Sequence, residues 1–275
     1  MLAEASTPMD RTESMFQMPK NRMHAPPEYQ SLLRAAGLSA ESVFTNPQIK
    51  PWRVLPDREN CTLDLQFEGQ PVRLHVKRYK PERGFKTPAQ IEYQGIAALA
   101  YEKIPTADLV AWGVMLDHRS FVILKHLDGY TAADKLIEQG TPFDKLLIPT
   151  ADLAAKLHMA NLHHRDLYLC HFLAKPDGDA MDLRLIDAAR VARLDFLFTR
   201  GRWIVKDLAQ FWYSTTKLPI TDAQRDAWLK RYAEQRGLPG YAGLKKAILR
   251  KVARIARHDA KLNASQPKRN ISIPT

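Results

Sequence analysis

The chain has 275 residues, of which 45% are hydrophobic and 26% are charged, a composition typical of a globular protein of one or two domains that excludes a disordered or collagen-like chain. Charged residues interrupt every apolar run, which excludes a membrane-spanning helix of about 18 apolar residues. The 41 basic and 30 acidic residues give a net charge of +11, which favours anionic partners such as nucleic acid, anionic lipid or a phosphorylated glycan.

The first residues of the chain lack a periodic apolar pattern, and residues 1–27 are therefore predicted to form a flexible lead-in. Acidic residues stand where a signal peptide has basic ones, and no apolar segment follows them. Export is therefore not expected, and the predicted location is cytoplasmic. Cys61 and Cys170 are too few for a disulfide framework and are expected to stay reduced.

Two early elements can be predicted from the spacing of apolar residues. A short helix is predicted over about residues 28–37. Beyond Trp52, apolar residues alternate with polar ones over residues 63–67 and again over 72–77, and Gly69-Gln70 supplies a turn between the two runs. This pattern predicts an antiparallel hairpin.

The next predicted element is a helix that begins after Thr87. Thr87 is a helix-capping residue type, Pro88 suits the first helical position, and Gln90 completes the spacing of a capping box. The helix is expected to end near Tyr101, and an apolar strand is predicted at 120–124.

Beyond Thr131 the apolar period is helical almost to the end of the chain, apart from residues 163–191. The sequence therefore predicts an α+β chain with two lobes and one cleft between them. The predicted parts are a small β-rich N-lobe with one helix at 28–126, a larger helical C-lobe at 127–262 and a basic, polar tail at 263–275.

The segment with the clearest chemical content is His164-Arg165-Asp166, followed five residues after the aspartate by His171. Protein kinases carry H-R-D-x-x-x-x-N, in which the aspartate accepts the proton of the substrate hydroxyl and the asparagine holds a metal ion. Here a histidine stands in place of the asparagine. The tripeptide is a weak signal by itself, so its companions along the chain decide its meaning.

Three further residues have the order and spacing that a kinase site requires. Lys77 ends a predicted strand, Glu92 follows 15 residues later on the predicted helix, and Asp187 ends an apolar run 21 residues after Asp166. In a kinase, the lysine contacts the ATP phosphates, the glutamate pairs with the lysine, and the second aspartate binds Mg²⁺.

Two other readings of the sequence are weaker. A zinc cluster would use His158, His163, His164 and His171, but their spacing matches no zinc-binding pattern and Cys170 is the sole nearby cysteine. A specific nucleic-acid site is not expected, because the basic tail lacks interleaved aromatic residues after Tyr241.

The segments HRDLYLCHFL (164–173), LRLID (183–187) and KDLAQF (206–211) resemble the lipopolysaccharide kinase family of Kdo/WaaP type. The resemblance covers about residues 50–215. It implies a protein-kinase-like fold and ATP-dependent phosphorylation of an inner-core lipopolysaccharide sugar, with heptose as the first expectation. The alternatives are a Kdo kinase, a protein kinase, and an inactive protein that binds ATP or glycolipid.

The same resemblance implies roles for individual residues. Asp166 would orient the acceptor hydroxyl and accept its proton, while Lys77 would hold the ATP phosphates. The further residues implied are Arg165 in the catalytic loop, Glu92, Ile123 and Lys125 at the nucleotide, Asp187 and His171 at Mg²⁺, and Asp207 and His164 as structural support. His171 is the weakest Mg²⁺ ligand of the set, because Mg²⁺ prefers oxygen donors.

The sequence also departs from the protein-kinase pattern. No G-x-G-x-x-G precedes Lys77, His75 stands where protein kinases place a small alanine against the adenine, and Ala188-Ala189 replaces Phe-Gly. The 20-residue segment from Asp187 to Asp207 lacks Ala-Pro-Glu. Because a protein kinase uses a longer segment to dock a peptide, this length favours a small or glycan acceptor.

Two basic regions remain. The loop 77–86 is expected near the cleft, where it would either meet acceptor phosphates or carboxylates or be a solvated basic loop. The tail suggests a peripheral contact with the cytoplasmic face of the inner membrane, because four apolar residues share one helical face among its lysines and arginines: Leu244, Ile248, Val252 and Ile255. Such a helix would either lie on an anionic membrane or close the larger lobe.

Overall fold

The computed structural model describes residues 21–265. The elements of its first part, in chain order, are β1 (Arg22–His24), α1 (Gln30–Ala35), α2 (Ser42–Thr45), β2 (Lys50–Val54), β3 (Arg58–Phe67), β4 (Gln70–Tyr79), α3 (Pro88–Tyr101), β5 (Leu109–Val114), β6 (Ser120–Lys125) and β7 (Thr131–Ala132). The elements of its second part are α4 (Ala133–Glu138), α5 (Asp144–Met159), β8 (Leu162–His163), β9 (Phe172–Asp177), β10 (Ala180–Leu185), β11 (Ala192–Arg193), α6 (Leu197–Thr215), α7 (Asp222–Gln235) and α8 (Ala242–Ser265).

The N-lobe is an antiparallel sheet in the strand order β1-β5-β6-β4-β3-β2. The predicted hairpin is confirmed as β3 and β4, which pair in register from Arg58 opposite Tyr79 to Phe67 opposite Gln70. Alternation along β4 places Leu74 and Val76 in a buried core together with residues of α1 and α2. The opposite face of β4 is left for Lys77, which faces the cleft.

Helix α3 lies beside the cleft and begins as predicted. The Thr87 side chain accepts from the backbone N–H of Gln90, and the Gln90 side chain accepts from the backbone N–H of Thr87. This reciprocal pair satisfies two donors that the first helical turn leaves open.

The C-lobe is mainly helical, as predicted, and its strands cluster around the catalytic segment. β9 and β10 form a hairpin that β7 joins at one edge, and β8 pairs with β11. The larger hydrophobic core runs beneath these strands and contains Phe172 and Leu185 together with Phe211 and Trp228 of the helices.

The two ends of the chain differ from the expectations. Residues 1–20 lie outside the described residues, but Arg22–His24, within the predicted lead-in, pair with β5 as an edge strand. At the other end, the last helix extends to Ser265, beyond the predicted tail boundary, and 266–275 lie outside the described residues.

The apolar face of α8 packs against protein. Ile248 is fully buried, and Leu244, Val252 and Ile255 pack against the larger core. Of the two predicted environments for this face, the structure therefore shows the closing helix. No helix within residues 21–265 is long and apolar enough to cross a membrane.

Candidate active site

The cleft contains a buried ion pair between the two elements that flank it. Lys77 Nζ on β4 lies 2.6 Å from Glu92 Oε1 on α3, and the Glu92 side chain is fully buried. The second oxygen of Glu92 accepts from the Tyr79 hydroxyl. Burial opposes the charge on Lys77, but the carboxylates of Asp187 and Glu92 outweigh it and raise the pKa of Lys77.

Asp187 shares the same ammonium group from the other side of the cleft. Its Oδ1 lies 2.9 Å from Lys77 Nζ, and Lys77 lowers the pKa of Asp187 despite the burial of this carboxyl group. Asp187 follows β10 and adopts a left-handed conformation with φ of 64°. Such a conformation is uncommon for a residue with a side chain, and residues that adopt it cluster at active sites.

Glycine allows α3 to approach the segment after Asp187. A Cβ added to Gly95 would lie 2.2 Å from the Ala188 carbonyl oxygen. The two backbones therefore meet at a distance that no other residue type permits. Because Gly95 lies one helical turn after Glu92, this contact fixes Glu92 relative to Asp187.

The catalytic loop is held by one buried carboxylate, that of Asp207 on α6. It accepts from the backbone N–H of His164 at 2.6 Å, from the backbone N–H of Arg165 at 2.8 Å and from His158 Nε2 at 3.3 Å. Although burial raises the pKa of Asp207, the hydrogen bond from His158 and the neighbouring imidazoles lower it overall. A carboxylate that accepts several hydrogen bonds is a strong anchor for a loop.

His164 connects this loop to the segment that carries Asp187. Its Nε2–H donates to the Ile186 carbonyl oxygen at 3.0 Å, and burial lowers its pKa, so the ring is neutral. Asp166 itself accepts from Gln210 Nε2 at 3.3 Å. Helix α6 therefore carries both Asp207, which holds the loop backbone, and Gln210, which contacts the Asp166 carboxylate.

Asp166, His171 and Asp187 lie together in a group whose ligand atoms are all within 4.8 Å of one another. The His171 Nδ1–H donates to the Asp166 carbonyl oxygen at 2.6 Å, and Nε2 faces Asp187 Oδ2 at 3.8 Å. Histidines that bind metals typically donate their other N–H to a carbonyl or carboxylate in this way.

The donor set fits a hard divalent cation. Asp166 and Asp187 offer oxygen atoms, and oxygen is the donor that Mg²⁺ prefers. Burial disfavours a charged His171, but the Cys170 side chain and the carboxylates of Asp187 and Asp166 raise its pKa overall. His171 can therefore serve either as a cation beside a phosphate or, through Nε2 when it is neutral, as a metal ligand.

Arg165 points its guanidinium away from the carboxylates of the cleft. It lies over the Trp203 ring, 4.6 Å from the ring centroid, while its carbonyl oxygen accepts from Lys206 Nζ at 2.8 Å. Its φ of 64° is left-handed. Both contacts attach Arg165 to helix α6, and its role in catalysis stays a prediction.

The structure does not bring the side chains of Ile123 and Lys125 to the site. In the register of β4 and β6, Lys77 lies opposite Val122, whereas Ile123 lies opposite Val76 and is fully buried in the N-lobe core. Lys125 shares the face of Ile123 and is exposed. Because successive strand residues point to opposite faces, neither side chain shares the face of Lys77. The contacts of Ile123 and Lys125 with the nucleotide stay a prediction.

Several residues that the sequence interpretation missed complete the site. Periodicity could have found two of them. Tyr79 lies two residues after Lys77 on the same strand face, and Gln210 lies one helical turn after Asp207. The missed residues with direct contacts are Tyr79 on Glu92, Gln210 on Asp166, His158 on Asp207 and Lys206 on Arg165.

This arrangement suits phosphoryl transfer, which requires positioning and charge neutralisation more than covalent chemistry. The Lys77 ammonium group lies between Glu92 of the N-lobe and Asp187 on the other side of the cleft, and Asp166 stands on a loop that Asp207 holds. Residues 72–232 match the sequence model of the lipopolysaccharide kinase (Kdo/WaaP) family. The chain belongs to this family.

Individual members of the lipopolysaccharide kinase family are also similar to the chain. The lipopolysaccharide core heptose(I) kinase WaaP of Pseudomonas aeruginosa is 28% identical over 208 residues, which cover 67% of this chain and 77% of that protein. The protein of the same name from Escherichia coli K12 is 34% identical over 87 residues, which cover 30% of this chain and 31% of that protein.

These findings confirm several predictions made from the sequence. The family resemblance, the kinase-like α+β fold with two lobes and the kinase activity are all confirmed. As a lipopolysaccharide kinase, the protein uses ATP as phosphate donor and lipopolysaccharide as acceptor.

Proposed function

We propose that the chain transfers the γ-phosphate of ATP to a hydroxyl group of an inner-core heptose of lipopolysaccharide, and that Asp166 accepts the proton of that hydroxyl. The observation that carries this proposal is the position of Lys77 Nζ, which lies 2.6 Å from Glu92 and 2.9 Å from Asp187 across one cleft. The choice of heptose rests on the names of the two relatives, which are heptose(I) kinases.

Lys77 is the proposed ligand of the ATP phosphates. Its charge is retained under physiological conditions, because the surrounding carboxylates raise its pKa. Glu92 accepts from the ammonium group on the N-lobe side of the cleft, and the Tyr79 hydroxyl donates to the other oxygen of Glu92. When phosphates enter, the ammonium group keeps its bond to the buried Glu92 and exchanges Asp187 for phosphate oxygens.

Mg²⁺ is the proposed metal, and Asp187 with His171 are its proposed protein ligands. Bound there, Mg²⁺ would neutralise charge on the transferring phosphate. Lys77 holds Asp187 ionised, and the Asp166 carbonyl oxygen orients the His171 ring. Because the Cys170 side chain and the neighbouring carboxylates outweigh burial and raise the pKa of His171, the ring would release its Nε2 proton on binding the metal.

Asp166 is the proposed proton acceptor for the sugar hydroxyl. Gln210 donates to one of its oxygens and orients the carboxylate, and Asp207 accepts from the backbone N–H groups of the two residues that precede Asp166, His164 and Arg165. A hydroxyl group placed between Asp166 and the γ-phosphate would be positioned for attack, and such positioning accounts for much of the rate of a phosphotransferase.

The test is phosphate transfer from ATP to purified lipopolysaccharides of graded length. One acceptor ends at Kdo, and a second carries unphosphorylated inner-core heptose. We expect transfer to the second acceptor alone, with the phosphate located on heptose by mass spectrometry, and no transfer to casein. Transfer to the Kdo-terminated acceptor would assign Kdo as the substrate sugar and overturn the heptose proposal.

The role of Asp166 is tested with Asp166→Asn and a matched control, Asp179→Asn, which alters an exposed carboxylate in the turn between β9 and β10. We expect Asp166→Asn to lower kcat by at least about a hundredfold, since general bases contribute on the order of 10²–10⁴. The control should retain full activity. Unchanged kcat in Asp166→Asn would remove Asp166 from the proposed role.

A further inference from the structure

Three consecutive large apolar side chains stand in solvent at the start of α6. Phe196, Leu197 and Phe198 are 73%, 79% and 101% exposed. We refer to these three residues as the apolar wedge. Scattered apolar residues are normal on protein surfaces, but a contiguous group of this kind usually marks a surface that contacts a membrane or another molecule.

The base of the wedge is anchored to the C-lobe. Leu194 is buried, and its N–H donates to the Asn161 carbonyl oxygen at 2.7 Å. The preceding residues, Ala192–Arg193, pair with β8. On the far side, the N–H groups of Thr199 and Arg200 donate to the Phe196 carbonyl oxygen. The exposure of the wedge therefore belongs to an ordered segment.

Basic residues flank the wedge in the sequence. Between residues 190 and 202 the sequence contains four arginines and one acidic residue, Asp195. The arginines are Arg190, Arg193, Arg200 and Arg202. Apolar side chains with a basic rim complement an anionic bilayer, in which lipid headgroups attract the arginines and the acyl region accepts the apolar groups.

The wedge lies in the chain segment between Asp187 and Asp207. This is the segment that follows the candidate metal ligand and precedes the residue that holds the catalytic loop. The apolar face of α8, the other candidate for a membrane contact, is covered by the larger core.

We propose that Phe196, Leu197 and Phe198 insert into the surface of an anionic lipid bilayer, with Arg193 and Arg202 contacting the headgroups. This inference rests on the proposed function in one respect, namely that the acceptor is a glycolipid whose lipid part lies in a membrane. The docked wedge holds helix α6, and with it the catalytic loop that this helix contacts, close to the bilayer from which the sugar projects.

The test is co-sedimentation of the full chain with vesicles that contain no lipopolysaccharide. We expect binding to mixed phosphatidylcholine and phosphatidylglycerol vesicles and much weaker binding to phosphatidylcholine alone. The triple variant Phe196→Ser/Leu197→Ser/Phe198→Ser should lower the partition coefficient by about tenfold or more, since three apolar side chains no longer leave water. Arg193→Gln/Arg202→Gln should lower it at low salt and have little effect at high salt.

A matched control is Tyr101→Ser/Leu116→Ser, which removes two exposed apolar side chains elsewhere on the surface. It should leave the partition coefficient unchanged within about twofold. Thermal unfolding of each variant checks that the fold is retained. A second control alters the basic, exposed side of α8 through Lys246→Gln/Arg250→Gln/Arg254→Gln.

Three results would overturn the inference. The first is that the unaltered chain does not bind vesicles, the second is that the triple variant binds as well as the unaltered chain, and the third is that the α8 variant loses binding while the triple variant keeps it. Wedge-dependent self-association in sedimentation velocity without vesicle binding would overturn it as well. These failures are separable from failure of the proposed function, because the unaltered chain can be assayed with detergent-dispersed acceptor. Turnover there without vesicle binding refutes the wedge alone, and vesicle binding without turnover refutes the proposed function alone.

Discussion

The hydrogen bonds of Asp207 lead to a prediction with a calculable size. Replacing Asp207 with asparagine leaves one side-chain oxygen for the three buried donors it now serves, on His164, Arg165 and His158. At least one buried N–H then faces an NH₂ group, which costs about 1–3 kcal/mol. The remaining bonds lose the charge of the acceptor, which costs about 1 kcal/mol more. We expect Asp207→Asn to lower the free energy of unfolding by about 2–4 kcal/mol in total.

The same substitution should impair catalysis more than nucleotide binding. Arg165 holds a left-handed conformation whose cost is about 1–3 kcal/mol, and Asp207 is one of the groups that maintain it. If the loop relaxes, Asp166 moves and kcat should fall by about a hundredfold, as for a displacement near 1 Å. The KM for ATP should change little, because Lys77 and Glu92 lie on other elements.

Urea unfolding and steady-state kinetics measure both effects. The matched control is Asp152→Asn, which breaks an ion pair with Arg231 that is about one-third exposed on each side. That change should cost less than about 1 kcal/mol and leave kcat unaltered. The reasoning would be refuted if Asp207→Asn and Asp152→Asn had the same unfolding free energy, or if Asp207→Asn kept full kcat.

Three other changes give distinct expected results. Lys77→Met leaves Glu92 buried without its cation, and we expect a loss of about 3–5 kcal/mol in unfolding free energy and of nearly all turnover. Gly95→Ala forces α3 from the Ala188 carbonyl oxygen, and we expect a destabilisation of about 1–3 kcal/mol with reduced turnover. Burial and the neighbouring His126 lower the pKa of His75 to about 4. Since the unfolded imidazole titrates near 6.5, the stability that neutral His75 contributes is complete above about pH 6.5 and is lost as the pH falls toward 4, and His75→Gln should reduce this loss by about 1–3 kcal/mol.

Each of these predictions has a control at an exposed position. Lys80→Met and His258→Gln alter exposed side chains and should have small effects. Gly201→Ala adds a Cβ that meets nothing within 4 Å and should not destabilise. Three results would contradict these arguments: turnover in Lys77→Met, an unchanged free energy of unfolding in Gly95→Ala, and, in His75→Gln, the same loss of unfolding free energy below about pH 6.5 as in the unaltered chain.

The local elements near the site were predictable because their signals are local. The capping box at Thr87 and the alternation that led to β3 and β4 depend on residues a few positions apart. The juxtaposition of Lys77 with Asp187 was expected from order and spacing along the chain, and the structure places the two side chains in contact. Their catalytic roles remain proposals.

Two placements in the structure could not be predicted, for a common physical reason. Residues 121–124 form a continuous apolar run, so β6 carries no alternation that would show which side chains face the cleft. The register of β6 against β4 determines which of its side chains share the face of Lys77, and it places Val122 there and Ile123 on the opposite face. The apolar stripe of α8 posed the same difficulty, since a membrane and a neighbouring helix both accept such a face. Tertiary packing, which the sequence pattern does not specify, determined both outcomes.

Helix α6 connects the proposed membrane surface to the catalytic loop. The wedge is at its N-terminus, and Lys206, Asp207 and Gln210 on the same helix hold Arg165 and Asp166. Ten residues separate Leu197 from Asp207, which at about 1.5 Å per residue is about 15 Å along the axis. Whatever the tilt of the helix, this distance limits how far the catalytic loop can stand from the bilayer surface. Sugars close to the lipid are therefore within reach, and an acceptor truncated just beyond the phosphorylated sugar should be used as well as a longer one.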